Sequence, residues 1–179
     1  MQALVVHAVE LAATLLSPLG DRWKHTIGVA HRAEHLASAV PDADRDTLVA
    51  AAWLHDIGYA VPDTGFHPLD GAIHLTRLTW PPRLCALVAH HSGARFTADV
   101  LGLTHLLAPY RHIDDPLSDA LTHADQTTDP CGTLVPLSAR LTEMLTRHGP
   151  TSANALAHPV RGPYLQAVAD RVESRLSHG

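Results

Sequence analysis

Lysine is nearly absent from this chain. Lys24 is the only one in 179 residues, and Asp plus Glu outnumber Lys plus Arg by 18 to 13. With no basic block, broad binding to nucleic acid or to an anionic membrane surface is not expected, because both need clustered positive charge. Cysteine is scarce too: Cys85 and Cys131 do not make a disulfide framework in a chain of this length. No stretch of 18 uninterrupted apolar residues occurs, so no transmembrane span is expected. The opening MQALVVHAVELAATLLSPLG is apolar but carries His7 and Glu10 and no leading basic residues, so it reads as a first helix rather than a secretion signal. A cytoplasmic protein is the expectation. Aromatic residues are only 4% of the chain against 46% apolar, which leaves Leu, Val and Ala to build the core. Ala and Leu favour helix, and no period-two alternation argues for strands. The expected fold is therefore all-α, one domain over residues 1–179 with about seven to nine helices.

What the chain has in quantity is histidine, fifteen in all. Helices are expected near residues 2–17, 21–39 with Asp21 as N-cap, 47–56, from Pro68 through LDGAIHLTRL, 82–91, 116–126, 136–148 and 163–177. A longer apolar segment, ADVLGLTHLLAP, lies between the fifth and sixth of these. Several histidines and aspartates fall at or near the ends of these elements: His25, His55 with Asp56, His67, His90 and His91, and Asp125. His25 precedes Val29 by four residues and shares its core-facing stripe. A buried carboxylate such as Asp56, at the end of the greasy run AAWLHDIGYA, costs several kcal/mol unless it is paired or bound to a cation. Imidazoles and carboxylates gathered from several helix ends suit Fe, Mn, Zn, Co or Ni.

The order of these residues, with the text around them, resembles the HD-domain superfamily of metal-dependent phosphohydrolases. RWKHTIGVAHRA is similar to that family's first ligand helix, LHDIG to its name-giving motif, and HPLDGA to the His-x-x-x-Gly-Ala element of members with two metals. ALVAHHSG and HADQTTD are similar to the last two elements. The resemblance runs over residues 22–129, and the residues beyond 130 carry no readable motif. Those C-terminal helices are expected to complete the core, with a homodimer face there as an open option. The resemblance implies a helical bundle that binds two divalent transition-metal ions. His25, His55, Asp56 and Asp125 would hold the first ion and His67 and His90 the second, with Asp56 bridging. His91 is the alternative to His90, as a ligand or as a substrate contact.

Such a centre lowers the pKa of a bound water to near neutrality, and the resulting hydroxide attacks phosphorus. Asp56, His91 and Arg22 are thus the candidate catalytic residues, and Arg22, Arg95, Tyr59 and His91 the candidates to contact a small anionic substrate. Arg22 is three residues before His25 and one turn away on the same face. The pattern departs from many phosphohydrolase relatives at Tyr59, where they keep a lysine after the HD pair. That absence favours a second reading, the mixed-valent di-iron oxygenases of the same fold. A non-catalytic regulatory domain is the third, weakened by the full ligand set. His31 and His35, four residues apart around Glu34, lack the order of zinc proteases and read as a solvated face. Asp129, Thr127 and Thr128 either orient ligands or cap a turn.

Overall fold

The computed structural model describes residues 3–178. The described residues form nine α-helices: α1 (Ala3–Leu16), α2 (Asp21–His35), α3 (Arg45–Leu54), α4 (His67–Arg77), α5 (Pro82–His90), α6 (Ala94–Val100), α7 (Pro116–Gln126), α8 (Leu137–His148) and α9 (Ala153–Ser177). Among the described residues there is no strand, only an isolated bridge between Thr128 and Leu134. The fold is all-α, as the composition implied.

Small residues set how closely the helices approach. Val5, Ala8, Ala12 and Leu16 recur at helical spacing along one face of α1 and are buried against α3, where Ala50 and Leu54 face them. A second cluster joins Val29, Ala30 and Ala33 of α2 to Leu48, Ala51 and Ala52 of α3 and to Leu117, Leu121 and Ala124 of α7. Every residue of α7 from Leu117 to Gln126 is buried, so this helix runs through the middle of the molecule. Its start is well specified. Pro116 sits in the first turn, and the Asp115 carboxylate accepts from the Ser118 N–H at 2.8 Å.

Several boundaries differ from expectation: the helix expected over 21–39 ends at His35, and the one expected over 47–56 spans Arg45–Leu54. Asp21 is not a cap: Gly20, with φ +57°, precedes the helix, and Asp21 in the first turn takes Lys24 at 2.8 Å. ADVLGLTHLLAP is not one element. The Asp–Val end of α6 stops before Gly102, whose φ of +71° turns the chain into a short 3-10 turn, Thr104–Leu107. The last helix begins ten residues before 163 and carries Pro159 and Pro163 in its interior. An interior proline costs roughly 3 kcal/mol. The buried stripe Ala157, Leu165, Val168 and Val172 offsets that cost by packing α9 against α6, α7 and α8.

Candidate metal centre

Histidines here are aimed by backbone carbonyls. His55 follows the last residue of α3, and its Nδ1–H donates to the Ala52 carbonyl at 2.7 Å. His91 follows the last residue of α5 and donates in the same way to the Val88 carbonyl at 2.6 Å. Carbonyls in the last turn of a helix lack intrahelical partners, so each helix end supplies the acceptor that orients its own histidine. His25, in the second turn of α2, donates from Nδ1 to the Asp129 carbonyl at 2.9 Å. Since a carbonyl only accepts, all three rings carry hydrogen on Nδ1 and turn the Nε2 lone pair to one point. His67 opens α4 behind a loop held by Asp70, a buried carboxylate that accepts from the Thr64 N–H and hydroxyl and from the Gly65 N–H.

The four Nε2 atoms surround Asp56, which is 2% exposed. Its Oδ2 lies 3.3 Å from His55 Nε2 and 3.8 Å from His25 Nε2. Its Oδ1 lies 3.3 Å from His67 Nε2 and 3.9 Å from His91 Nε2. The donor atoms of His25, His55 and Asp56 fall within 4.8 Å of one another, and so do those of Asp56, His67 and His91. Asp125, the penultimate residue of α7, joins the first group through Oδ1, 2.9 Å from His25 and 4.0 Å from His55. Its Oδ2 accepts from the Ser92 hydroxyl and from the Gln126 amide.

These contacts oppose lone pairs to carboxylate oxygens, which is unfavourable unless something positive lies between them. His55 Nε2 is buried and has no hydrogen-bond partner. Burial opposes charge on His55, yet Asp56 overcomes it and raises the pKa of the ring. Burial also opposes ionisation of Asp56, but His55 and Arg22 hold it well below the usual carboxylate range. Asp125 is lowered in the same way, against its own burial, by His25 beside it and by His55 and His91. On the other side, burial pushes His67 down to about 3 and His91 down to about 4, with neighbouring positive groups adding to it. Those two rings are neutral at pH 7, the form that binds metal. Two ionised aspartates among nitrogen lone pairs fit divalent transition-metal ions.

Two candidates lie elsewhere. His90 does not face the cluster. Its Nε2 donates to the Tyr110 carbonyl at 2.8 Å, and its ring packs edge-on to His112. The chain leaves the helix at His91 (ψ +149°) and passes through left-handed Ser92 and Gly93, and this turns the two consecutive side chains apart. Arg95 is held over Phe96 and Tyr164 and donates to His112, outside the cavity above Asp56. Arg22 and Tyr59 are at the site. Arg22 Nη1 donates to Asp56 Oδ2 at 2.6 Å, and its guanidinium lies 4.1 Å over the Tyr59 ring, which stacks on His67 at 4.1 Å. Asp129 does both things expected of it: its carbonyl orients His25, while its carboxylate caps the turn through Cys131 N–H and Thr133 N–H. His31 and His35 are exposed, as a solvated face requires.

The cavity above Asp56 holds about 210 Å³, less than the ~300–1,000 Å³ of pockets for drug-sized ligands. Its lining includes Arg22, His67, His91 and Asp125, and also Arg140, Arg147 and Arg161 from α8 and α9. The arginines of α8 and α9 were missed from sequence, where nothing local marks them. Ser92 was missed as well, although it stands in the quoted stretch HHSG.

The family model of the HD domain matches residues 22–128. The chain belongs to the HD-domain family. The matched span opens on Arg22 and takes in every side chain gathered around Asp56, so this HD domain carries a His/Asp cluster compatible with divalent metal. Comparisons with curated proteins and with solved structures give no match. No helix among the described residues is long and apolar enough to cross a membrane.

Proposed function

We propose that the protein is a metal-dependent phosphohydrolase cleaving a phosphoester or phosphoanhydride bond of a small anionic metabolite, nucleotides included. The observation that supports it is the Asp56 carboxylate, with one oxygen toward His25 and His55 and the other toward His67 and His91, beneath a cavity lined with arginines. In this reading His25, His55, Asp56 and Asp125 hold one ion, and Asp56, His67 and His91 hold a second. Bound divalent ions supply a water of lowered pKa and neutralise charge developing on the phosphoryl oxygens.

The chain's own groups do the positioning. The carbonyls of Asp129, Ala52 and Val88 keep His25, His55 and His91 in one tautomer, so no ring has to turn when it binds. Ser92 and Gln126 hold the outer oxygen of Asp125 and leave the inner one for the ion. Arg22 spends one of its five donors on Asp56 and keeps the rest for an oxyanion. Stacking on Tyr59 holds that guanidinium at the cavity.

A di-iron oxygenase is the second reading, favoured by Tyr59 standing where a phosphate-binding lysine is common. One experiment separates the two. Anaerobically purified protein is analysed for metals and then assayed for phosphate release from nucleotides and sugar phosphates with Mn²⁺, Co²⁺ or Ni²⁺. Release that disappears in Asp56→Ala is the expected result. Two irons with a mixed-valent paramagnetic signal, and no release with any metal, would overturn the hydrolase reading.

A further inference from the structure

Helices α8 and α9 lie outside the residues matched to the HD domain, yet they build one wall of the cavity. Two of the arginines they bring are deeply buried, Arg140 at 7% and Arg161 at 6% exposure. A guanidinium withdrawn from water costs several kcal/mol unless it is paired. Arg140 and Arg147 share a single carboxylate, Glu143, one on each oxygen. Arg161 has less. Its Nε donates to the Ser92 carbonyl at 2.7 Å, and its Nη1 reaches only the side-chain oxygen of Asn154, at 3.4 Å. Asp125, the acidic group that acts on it electrostatically, is already engaged by His25, Ser92 and Gln126. Holding a backbone carbonyl and, at long range, an amide oxygen does not require a buried cation, and Nη2 of this cavity-lining arginine has no partner among the described residues.

We infer that Arg161, with Arg140 and Arg147, forms an anion subsite in the α8–α9 wall, and that the substrate carries a second oxyanion, phosphate or carboxylate, beyond the phosphoryl group that is cleaved. The word substrate rests on the phosphohydrolase reading; the anion site itself does not. The planar fork of arginine suits either oxyanion through paired N–H donors. Ser92 ties the subsite to the metal centre, because its carbonyl takes Arg161 while its hydroxyl takes Asp125. A ligand bridging both ends would be held in register with the ions.

The test uses the full chain loaded with Mn²⁺ and three non-hydrolysable probes: propylphosphonate, propane-1,3-bisphosphonate and 3-phosphonopropanoate, with affinities from calorimetry. At least one two-headed probe should bind about tenfold or more tighter than propylphosphonate, and which one does so distinguishes phosphate from carboxylate. Arg161→Met should abolish that preference while leaving metal content intact, and Arg161→Lys should restore part of it. Arg147, whose side chain is 40% exposed, provides a second variant that does not threaten the fold: Arg147→Ala should weaken the preference several-fold. Equal affinity for the three probes, no binding of any at millimolar concentration, or a preference surviving both substitutions would overturn the subsite. No probe is turned over, so a preference seen in a protein that releases no phosphate from any ester would keep the subsite and sink the hydrolase reading.

Discussion

His90 and His91 are adjacent, the first the expected ligand and the second its alternative, and the fold separates them into different roles. Helical spacing alone did not make the choice. Buried Val88 leads at i+3 to position 91, but Leu87, also buried, leads at i+3 to position 90. Reconstituted wild-type protein should hold two ions per chain by mass spectrometry, His91→Ala one, and His90→Ala two. A His90→Ala protein that loses an ion would contradict the assignment. Tyr59 was legible as a departure from the pattern but not as a partner. Only the tertiary contacts place it between Arg22 and His67. Burial and the nearby Asp56 carboxylate push its hydroxyl up to about 12, so it stays neutral and contributes a face and a hydrogen-bond donor rather than a charge.

Among the elements, α4 shows how a ligand is delivered by its loop. HPLDGA was readable as a ligand motif, and Pro68 as a helix start, but the Asp70 carboxylate folds back on Thr64 and Gly65 and sets where His67 begins. The turn after the HD pair lies directly on this start. A Cβ on Gly58 would come within 1.9 Å of the His67 carbonyl oxygen, so only glycine fits there. Asp70→Ala leaves the Thr64 and Gly65 donors without their acceptor, and a loss of about 1–3 kcal/mol is expected in chemical denaturation. The same variant should bind the second ion more weakly while the first is unaffected. On α2 the corresponding contact is Gly28, where a Cβ would meet the Gly132 carbonyl oxygen at 2.4 Å. Gly28→Ala should push away the turn whose Asp129 carbonyl orients His25, costing about 1–3 kcal/mol as overpacking does. Unchanged stability in Gly28→Ala would contradict this packing.

For the whole molecule, the buried histidines make stability depend on pH. His67, His91 and His123 titrate well below the ordinary 6.5, near 3, 4 and 4, because burial disfavours their charged forms; Arg32 adds to this at His123. Below 6.5 the unfolded chain takes up protons at these positions and the native chain does not. The stability they confer is therefore present above 6.5 and lost as pH falls toward 4, at up to about 1.4 kcal/mol per pH unit for each group. His55 works the other way. Its pKa is raised, so its contribution is present below 6.5 and lost as pH rises through the folded value. His74, His90, His112 and His148 are lowered as well, chiefly by burial, so metal-free protein should lose stability between pH 6.5 and 4 in urea titrations. His123→Gln, away from the cluster, should make the slope shallower, and a slope no different from wild type would contradict the assignment. Adding metal at neutral pH should raise the melting temperature, by an amount equivalent to about 2.7 kcal/mol at a hundredfold excess over Kd.

The sequence by itself determined the helical class and the order of the ligands. Both are local properties: Ala and Leu favour helix wherever they occur, and a histidine at a helix end is written next to the signal that ends the helix. Tertiary structure alone decided which of two adjacent histidines faces Asp56, what Asp70 and Ser92 hold, and that α8 and α9 bring buried arginines to the cavity. Those outcomes depend on groups far apart in the chain, such as Arg161 and the Ser92 carbonyl, 69 residues distant. No periodicity or motif within either segment records that they meet.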